Sequence, residues 1–152
     1  MDDAPAAAPC AWAGSVHEFL AAPQQSILSA LTHHLRETGG PQLFAWRNSL
    51  EALSAGLTSA LPLVADCGLI LEYELPRTGG RRPDLIFLNN GIILVIEFKN
   101  RVQPEATDLD QVLGYVRDLS EYHGRCRILF LCQYLIVCGL CLRYTASSSI
   151  VM

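Results

Sequence analysis

At 152 residues, 51% of them apolar and 17% charged, the chain is long enough for one domain with a real core and too apolar for wholesale disorder. A net charge of −4 argues against broad nonspecific affinity for nucleic acid, so any such binding has to be local or supplied by a partner. The acidic start at Asp2 and Asp3, with no apolar stretch behind it, argues against a secretion signal and for a cytoplasmic protein.

In chain order, residues 1–14 read as a loose Ala/Pro-rich tail and residues 15–131 as the folded domain. From Pro23 to about Glu37, Ile27, Leu28, Leu31 and Leu35 recur at helical spacing, and Gly39-Gly40 is a stop signal. His33 and His34 lie beside that stripe and read as surface residues rather than metal ligands. A second helix, from about Gln42 to Ala60, carries Trp46, Leu50, Leu53, Leu57 and Leu61 on one stripe, with Glu51 off it in solvent. Leu69, Leu71, Tyr73 and Leu75 then alternate as in a half-buried strand, which puts Glu72 and Glu74 together on the opposite face. Thr78-Gly79-Gly80-Arg81-Arg82 is a turn whose two guanidinium groups suit backbone phosphate, although most such turns are plain surface.

The next two runs, Asp84 to Phe87 and Ile92 to Phe98, are rich in Ile, Leu, Val and Phe, and the polar break Asn89-Asn90-Gly91 between them signals a hairpin. Glu97 and Lys99 project from one strand face with Ile93 and Val95, and Ile92, Leu94, Ile96 and Phe98 from the other. A two-residue loop at Asn89-Asn90 pairs Leu88 with Gly91 and Asp84 with Val95, one diagonal step from Glu97 and on its face. A three-residue loop would put Asp84 on the wrong face. On spacing alone Glu97 and Lys99 read as an exposed ion pair. The apolar residues on both faces instead predict a strand covered on both sides, where a carboxylate needs a partner or a metal. Two carboxylates with substrate phosphate are enough to hold a hard cation such as Mg²⁺, and a nearby ammonium can orient the attacking water. Asp84, Glu97 and Lys99 fit those roles.

From Pro104 to about His123, Leu109, Val112, Val116 and Leu119 recur at helical spacing, and Gln111 and Tyr115, at i and i+4, stack along one edge of the stripe. Ile128-Leu129-Phe130-Leu131 reads as a final core strand, and residues 132–152 as an apolar tail of uncertain structure. The apolar span 128–142 is shorter than the roughly twenty residues of a bilayer-crossing helix, so no membrane association is expected. Six cysteines include Cys67, Cys132 and the C-x-x-C pair Cys138 and Cys141, but the setting is uniformly apolar and lacks a second C-x-x-C or a His pair. Buried reduced thiols are the better reading.

The order Arg82-Pro83-Asp84, a hairpin-length gap, then Ile96-Glu97-Phe98-Lys99 resembles the PD-(D/E)xK nuclease superfamily. Gln111-Val112-Leu113-Gly114-Tyr115 is similar to the Gln-x-x-x-Tyr signature of its RecB-like branch. Together with Glu72-Tyr73-Glu74-Leu75-Pro76, these segments look like the amino-terminal nuclease-like region of bacterial helicase-type ATPases. The resemblance spans roughly Trp46 to His123. It implies an α/β fold with a restriction-endonuclease-like core, a mixed β-sheet flanked by helices, and a Mg²⁺-dependent hydrolase, with Mn²⁺ as a substitute, acting on nucleic acid, DNA first. It implies Asp84 and Glu97 as metal ligands, Lys99, Gln111 and Tyr115 as further site residues, Glu74 as an additional acid, and an ATPase or helicase domain or subunit as partner. No phosphate-binding Gly-x-x-x-x-Gly-Lys occurs in this chain. Some relatives of that branch carry an iron–sulfur cluster, but the downstream cysteine spacing here does not match one. The alternative expectation is a catalytically inactive nuclease-fold module that binds nucleic acid or a partner ATPase. A third is a truncated protein that does not act alone.

Overall fold

The computed structural model describes residues 9–35, 40–99 and 105–121, together with the backbone of 122 and of 127–131. Its elements, in order, are β1 (Trp12–Ser15), α1 (Val16–Ala21), α2 (Gln24–His34), α3 (Gly40–Val64), β2 (Gly68–Leu71), β3 (Leu85–Asn89), β4 (Ile92–Ile96), α4 (Ala106–Tyr122) and β5 (Arg127–Leu131). The strands form one mixed sheet in the order β1-β2-β3-β4-β5, antiparallel from β1 to β4 and parallel between β4 and β5. The α/β expectation is met, with α4 connecting the parallel pair as such a crossover requires.

The beginning of the chain differs from the expected tail. Ala11 N–H donates to Leu71 O at 3.0 Å and Glu74 N–H to Pro9 O at 2.7 Å, so residues 9–14 lead into and form the sheet's edge strand beside β2. Residues 1–8 lie outside the described part. Helix α1, also not anticipated, begins with a capping box: Glu18 N–H donates to Ser15 Oγ, and Ser15 N–H to the Glu18 carboxylate. Helix α3 runs past Pro62 to Val64, one turn beyond the expected end, and Ala65 N–H closes its last turn onto Leu61 O.

Alternation along β2, β3 and β4 sends side chains to two apolar layers. Leu69, Leu71, Leu85 and Ile96 pack with Phe19 of α1, Ile27, Leu28 and Leu31 of α2, and Trp46, Leu50 and Leu57 of α3. Ile86, Ile93 and Val95 face the other way and pack with Val112, Tyr115 and Leu119 of α4. The strands are therefore covered on both faces, as their near-continuous apolar runs predict. Within α4 the stripe differs from expectation at its start, where Leu109 is exposed and Asp108 is buried. No helix among the described residues is long and apolar enough to cross a membrane.

The hairpin loop is Asn90-Gly91, one residue later than expected, and pairs Asn89 with Ile92 and Leu85 with Ile96. Both loop residues have positive φ, 46° and 82°, as a two-residue turn matched to strand twist demands. One step beyond the ladder, Asp84 stands opposite Glu97 itself rather than Val95. Its face is unchanged, because moving the loop by one residue moves the pairing by two.

A Cβ at Gly91 or at Gly56 within α3 would meet open space, but only Gly91 has positive φ, so backbone conformation alone separates the two sites. Gly91→Val is expected to lower unfolding free energy by about 1–3 kcal/mol, whereas Gly56→Ala raises it by about 0.5–1 kcal/mol, both read from urea denaturation midpoints.

Candidate active site

The site lies on the α4 side of the sheet, where β3 begins and β4 ends. Two residues past Val95, Glu97 is only 5% exposed. Its Oε1 accepts hydrogen bonds from Lys99 Nζ at 3.0 Å and from Gln111 Nε2 at 2.8 Å. Its Oε2 is buried and has no hydrogen-bond partner among the described residues. Lys99 Nζ also donates to Gln111 Oε1 at 3.0 Å, and lies 3.9 Å from Asp108 Oδ1. Gln111 Nε2 reaches Tyr115 OH at 2.8 Å, one helical turn farther along α4. Lys99, Glu97 and Gln111 thus close a three-way contact between the end of β4 and α4.

Asp84 Oδ2 accepts the Phe98 N–H at 2.6 Å, which carries the β3/β4 pairing past the last ladder pair by means of a side chain. Its backbone carbonyl accepts Glu72 N–H at 3.1 Å, tying it to β2 as well. Burial raises the Asp84 carboxyl well above the usual carboxylate range, and the neighbouring Glu97 charge pushes in the same direction, against the Phe98 amide. Two carboxyl groups facing each other across a strand pair, one of them with an unpartnered buried oxygen, are a donor set suited to a hard cation that keeps several waters. These residues fit Mg²⁺ or Mn²⁺. No group of three or more His, Cys, Asp or Glu residues suited to a metal occurs among the described residues.

A third acid approaches the pair, and it is Glu72, not Glu74. The strand ends at Leu71, Glu72 takes a left-handed backbone conformation at φ 52°, and the expected alternation breaks there. Glu74 is exposed, whereas Glu72 is buried, hydrogen-bonded to the Trp46 side chain and 3.8 Å from Arg82 Nε. Burial lifts the Glu72 carboxyl to about 7, Arg82 opposes the rise, and the Glu97 charge adds to it. A backbone reversal of this kind leaves no mark in an alternation pattern, although burial of Leu75 beside Ile86 on the α4 side is its consequence.

Both arginines of the turn are engaged. Arg81 Nη1 pairs with Asp118 Oδ2 at 2.7 Å, with its guanidinium carbon 5.0 Å from the centre of the Tyr115 ring. Arg82 faces Glu72. Of the two guanidinium groups weighed for phosphate in the sequence, Arg81 fastens the turn to α4 and Arg82 to the end of β2. Burial also pushes the Tyr115 phenol up, with the Gln111 hydrogen bond pulling the other way.

Glu51 is exposed, as expected. Cys67 is buried and reduced, and Cys10 is half-buried and reduced. Cys132, Cys138, Cys141, residues 132–142 of the apolar span and Pro104 lie outside the described residues. Compared with known proteins, the chain has no significant match among family models, curated protein sequences or solved structures.

The raised Glu72 carboxyl has a defined consequence for stability. Between pH 4.5, the ordinary value, and about 7, the folded protein holds a proton that the unfolded chain has released, so folding weakens as pH rises through that window. Glu72→Gln removes this contribution. Its stability relative to the parent, from urea denaturation, is expected to increase by about 1–3 kcal/mol between pH 4.5 and 7.5 and to level off above. A difference independent of pH would refute the assignment.

Proposed function

We propose that the chain is a divalent-cation-dependent nuclease domain of the PD-(D/E)xK type, with a restriction-endonuclease-like core, hydrolysing phosphodiester bonds of nucleic acid, DNA in the first instance. The observation that carries this reading is the shared Glu97 carboxylate. Lys99 and Gln111 occupy one oxygen, the other is buried with no hydrogen-bond partner among the described residues, and the Glu97 charge acts on Asp84 across the strand pair. In this reading Asp84 and Glu97 hold the cation, which when bound stabilises charge on the scissile phosphate and lowers the pKa of a coordinated water. Lys99 orients the attacking water through its ammonium, and Gln111 holds Lys99 and Glu97 at fixed separation while Tyr115 holds Gln111. Water adds to phosphorus as the bond to the leaving oxygen breaks, giving a phosphate monoester and a hydroxyl. The acid that approaches from β2 is Glu72.

The engaged arginines and the net charge of −4 favour delivery of the nucleic acid by a partner, for which an ATPase or helicase domain is the fitting class. The same two observations favour, as a second reading, an inactive nuclease-fold module that couples nucleic acid to such a partner.

Incubation of the folded protein with single- and double-stranded DNA and RNA, with and without Mg²⁺ or Mn²⁺, separates the two. Asp84→Ala and Lys99→Ala are each expected to lower cation-dependent cleavage by about 10²-fold or more. Cleavage that survives both substitutions would remove the site assignment. DNA binding with neither uptake of nor need for a divalent cation would favour the inactive module.

A further inference from the structure

Arg81 is the one charged residue of the turn that crosses from the sheet to the outer part of α4, and its surroundings are built around it. Its backbone carbonyl accepts Leu75 N–H at 3.0 Å, which closes the base of the turn, and Thr78 Oγ1 donates to Leu75 O at 2.9 Å within it. Its guanidinium pairs with buried Asp118 and covers the Tyr115 ring. Beneath the guanidinium lies Gly114, where an added Cβ would collide with Arg81 Nη2. A glycine inside a helix costs about 0.5–1 kcal/mol relative to alanine. Here it is the seat that lets a planar cation lie on α4 between Tyr115 and Asp118. Asp118, Gly114 and Tyr115 therefore fix Arg81 from three sides, and Arg81 in turn fixes the tyrosine whose hydroxyl meets Gln111.

We propose that Arg81 is a positioning residue, which sets the Tyr115 ring and through it holds the Gln111 amide against Glu97 and Lys99. This rests on the proposed nuclease reading only where it concerns turnover. The geometric part, from Arg81 to Gln111, stands on the contacts themselves. A cation over the ring face and an ion pair with Asp118 are each modest alone, but together they add to the packing that holds the buried Tyr115 ring and fix the direction of its hydroxyl toward Gln111. Arg81 touches no atom of Asp84, Glu97 or Lys99 in the described contacts, so it acts through Tyr115 and Gln111.

The test uses the full chain and the variants Arg81→Met, Asp118→Asn and Gly114→Ala, with Arg117→Ala as control. Gly114→Ala displaces only the far end of a flexible side chain and favours the helix, so it keeps the fold. Arg117 lies 3.8 Å from Asp118 on the exposed side and touches neither Arg81 nor Tyr115 in the described contacts, and so exposed a pair contributes little. The first readout is hydrogen exchange of the Gln111 side-chain amide by NMR, assigned by its loss in Gln111→Ala. Exchange is expected to quicken about tenfold or more in the three variants and to stay unchanged in Arg117→Ala. Unchanged exchange in all of them, or an equal change in the control, overturns the proposal whether or not the protein cleaves nucleic acid. The second readout is cleavage. A fall in kcat of about ten- to a hundredfold, with KM for nucleic acid held within about twofold, is expected of a positioning residue. A tenfold rise in KM at unchanged kcat makes Arg81 a phosphate ligand and overturns the proposal. Faster exchange in the three variants of a parent protein that does not itself cleave supports the positioning role and removes the nuclease reading instead.

Discussion

Much of the functional half of the molecule depends on a single buried carboxylate. Taking Glu97 out of water carries an effective cost of several kcal/mol for an ion of its size, and that cost is recovered only through close, well-directed partners. Those partners come from α4 and from two residues farther along the same strand, so the helix and the end of β4 are bound to each other by the same oxygen. What this contact leaves over is the other oxygen, which has no hydrogen-bond partner among the described residues, whereas buried polar atoms normally have one.

The two faces of the sheet are accordingly unlike. Three helices on one side form a layer whose described buried members are apolar, apart from the Trp46 side chain that reaches Glu72 at the rim. On the other side a single helix carries buried Asp108 and Asp118 together with Tyr115 and Gln111, and its buried apolar contribution is limited to Val112, Leu119 and half-buried Val116. The first face is an apolar layer, and the second carries the buried polar groups of the candidate site. Arg81 belongs to the second face, because both groups that fasten it sit on α4.

The parts of this arrangement legible in the sequence were those governed by periodicity. Face assignment on β4 followed from alternation, and the pairing of Gln111 with Tyr115 from helical spacing. The position of Asp84 came out on the correct face despite a misplaced loop, since parity survives a shift of one residue in a two-residue turn, although the opposing partner does not. What escaped was set by single backbone angles or by distant partners. Glu72 leaves the strand pattern at one left-handed residue, and nothing in Leu71-Glu72-Tyr73 announces it. Asp108 is buried beside Lys99 and accepts the Glu105 N–H at 2.9 Å, a local capping role that overrides the apolar stripe expected of Leu109. Arg81 finds Asp118 across 37 residues of chain, beyond the reach of any local signal. The edge strand at Trp12–Ser15 is short and contains Ala and Gly, so its pairing depends on β2 rather than on its own propensity. Its clearest sequence mark was the Ser15-Val16-His17-Glu18 capping box that follows it.

The turn at Asn90-Gly91 has one more consequence. Because it reverses the chain in two residues, Asp84 and the Phe98 amide meet across a separation of only 14 residues, and Glu97 then meets Gln111 across another 14. Lys99 reaches Gln111 across 12 residues, and Gln111 reaches Tyr115 across 4. Loop-closure entropy grows with the logarithm of such separations, so bringing this constellation together constrains little chain compared with closing β1 onto β2. The half of the domain that carries the candidate site is thus topologically local, a hairpin and the helix that follows it, while the apolar layer behind it gathers α1, α2 and α3 against strands far from them in the chain.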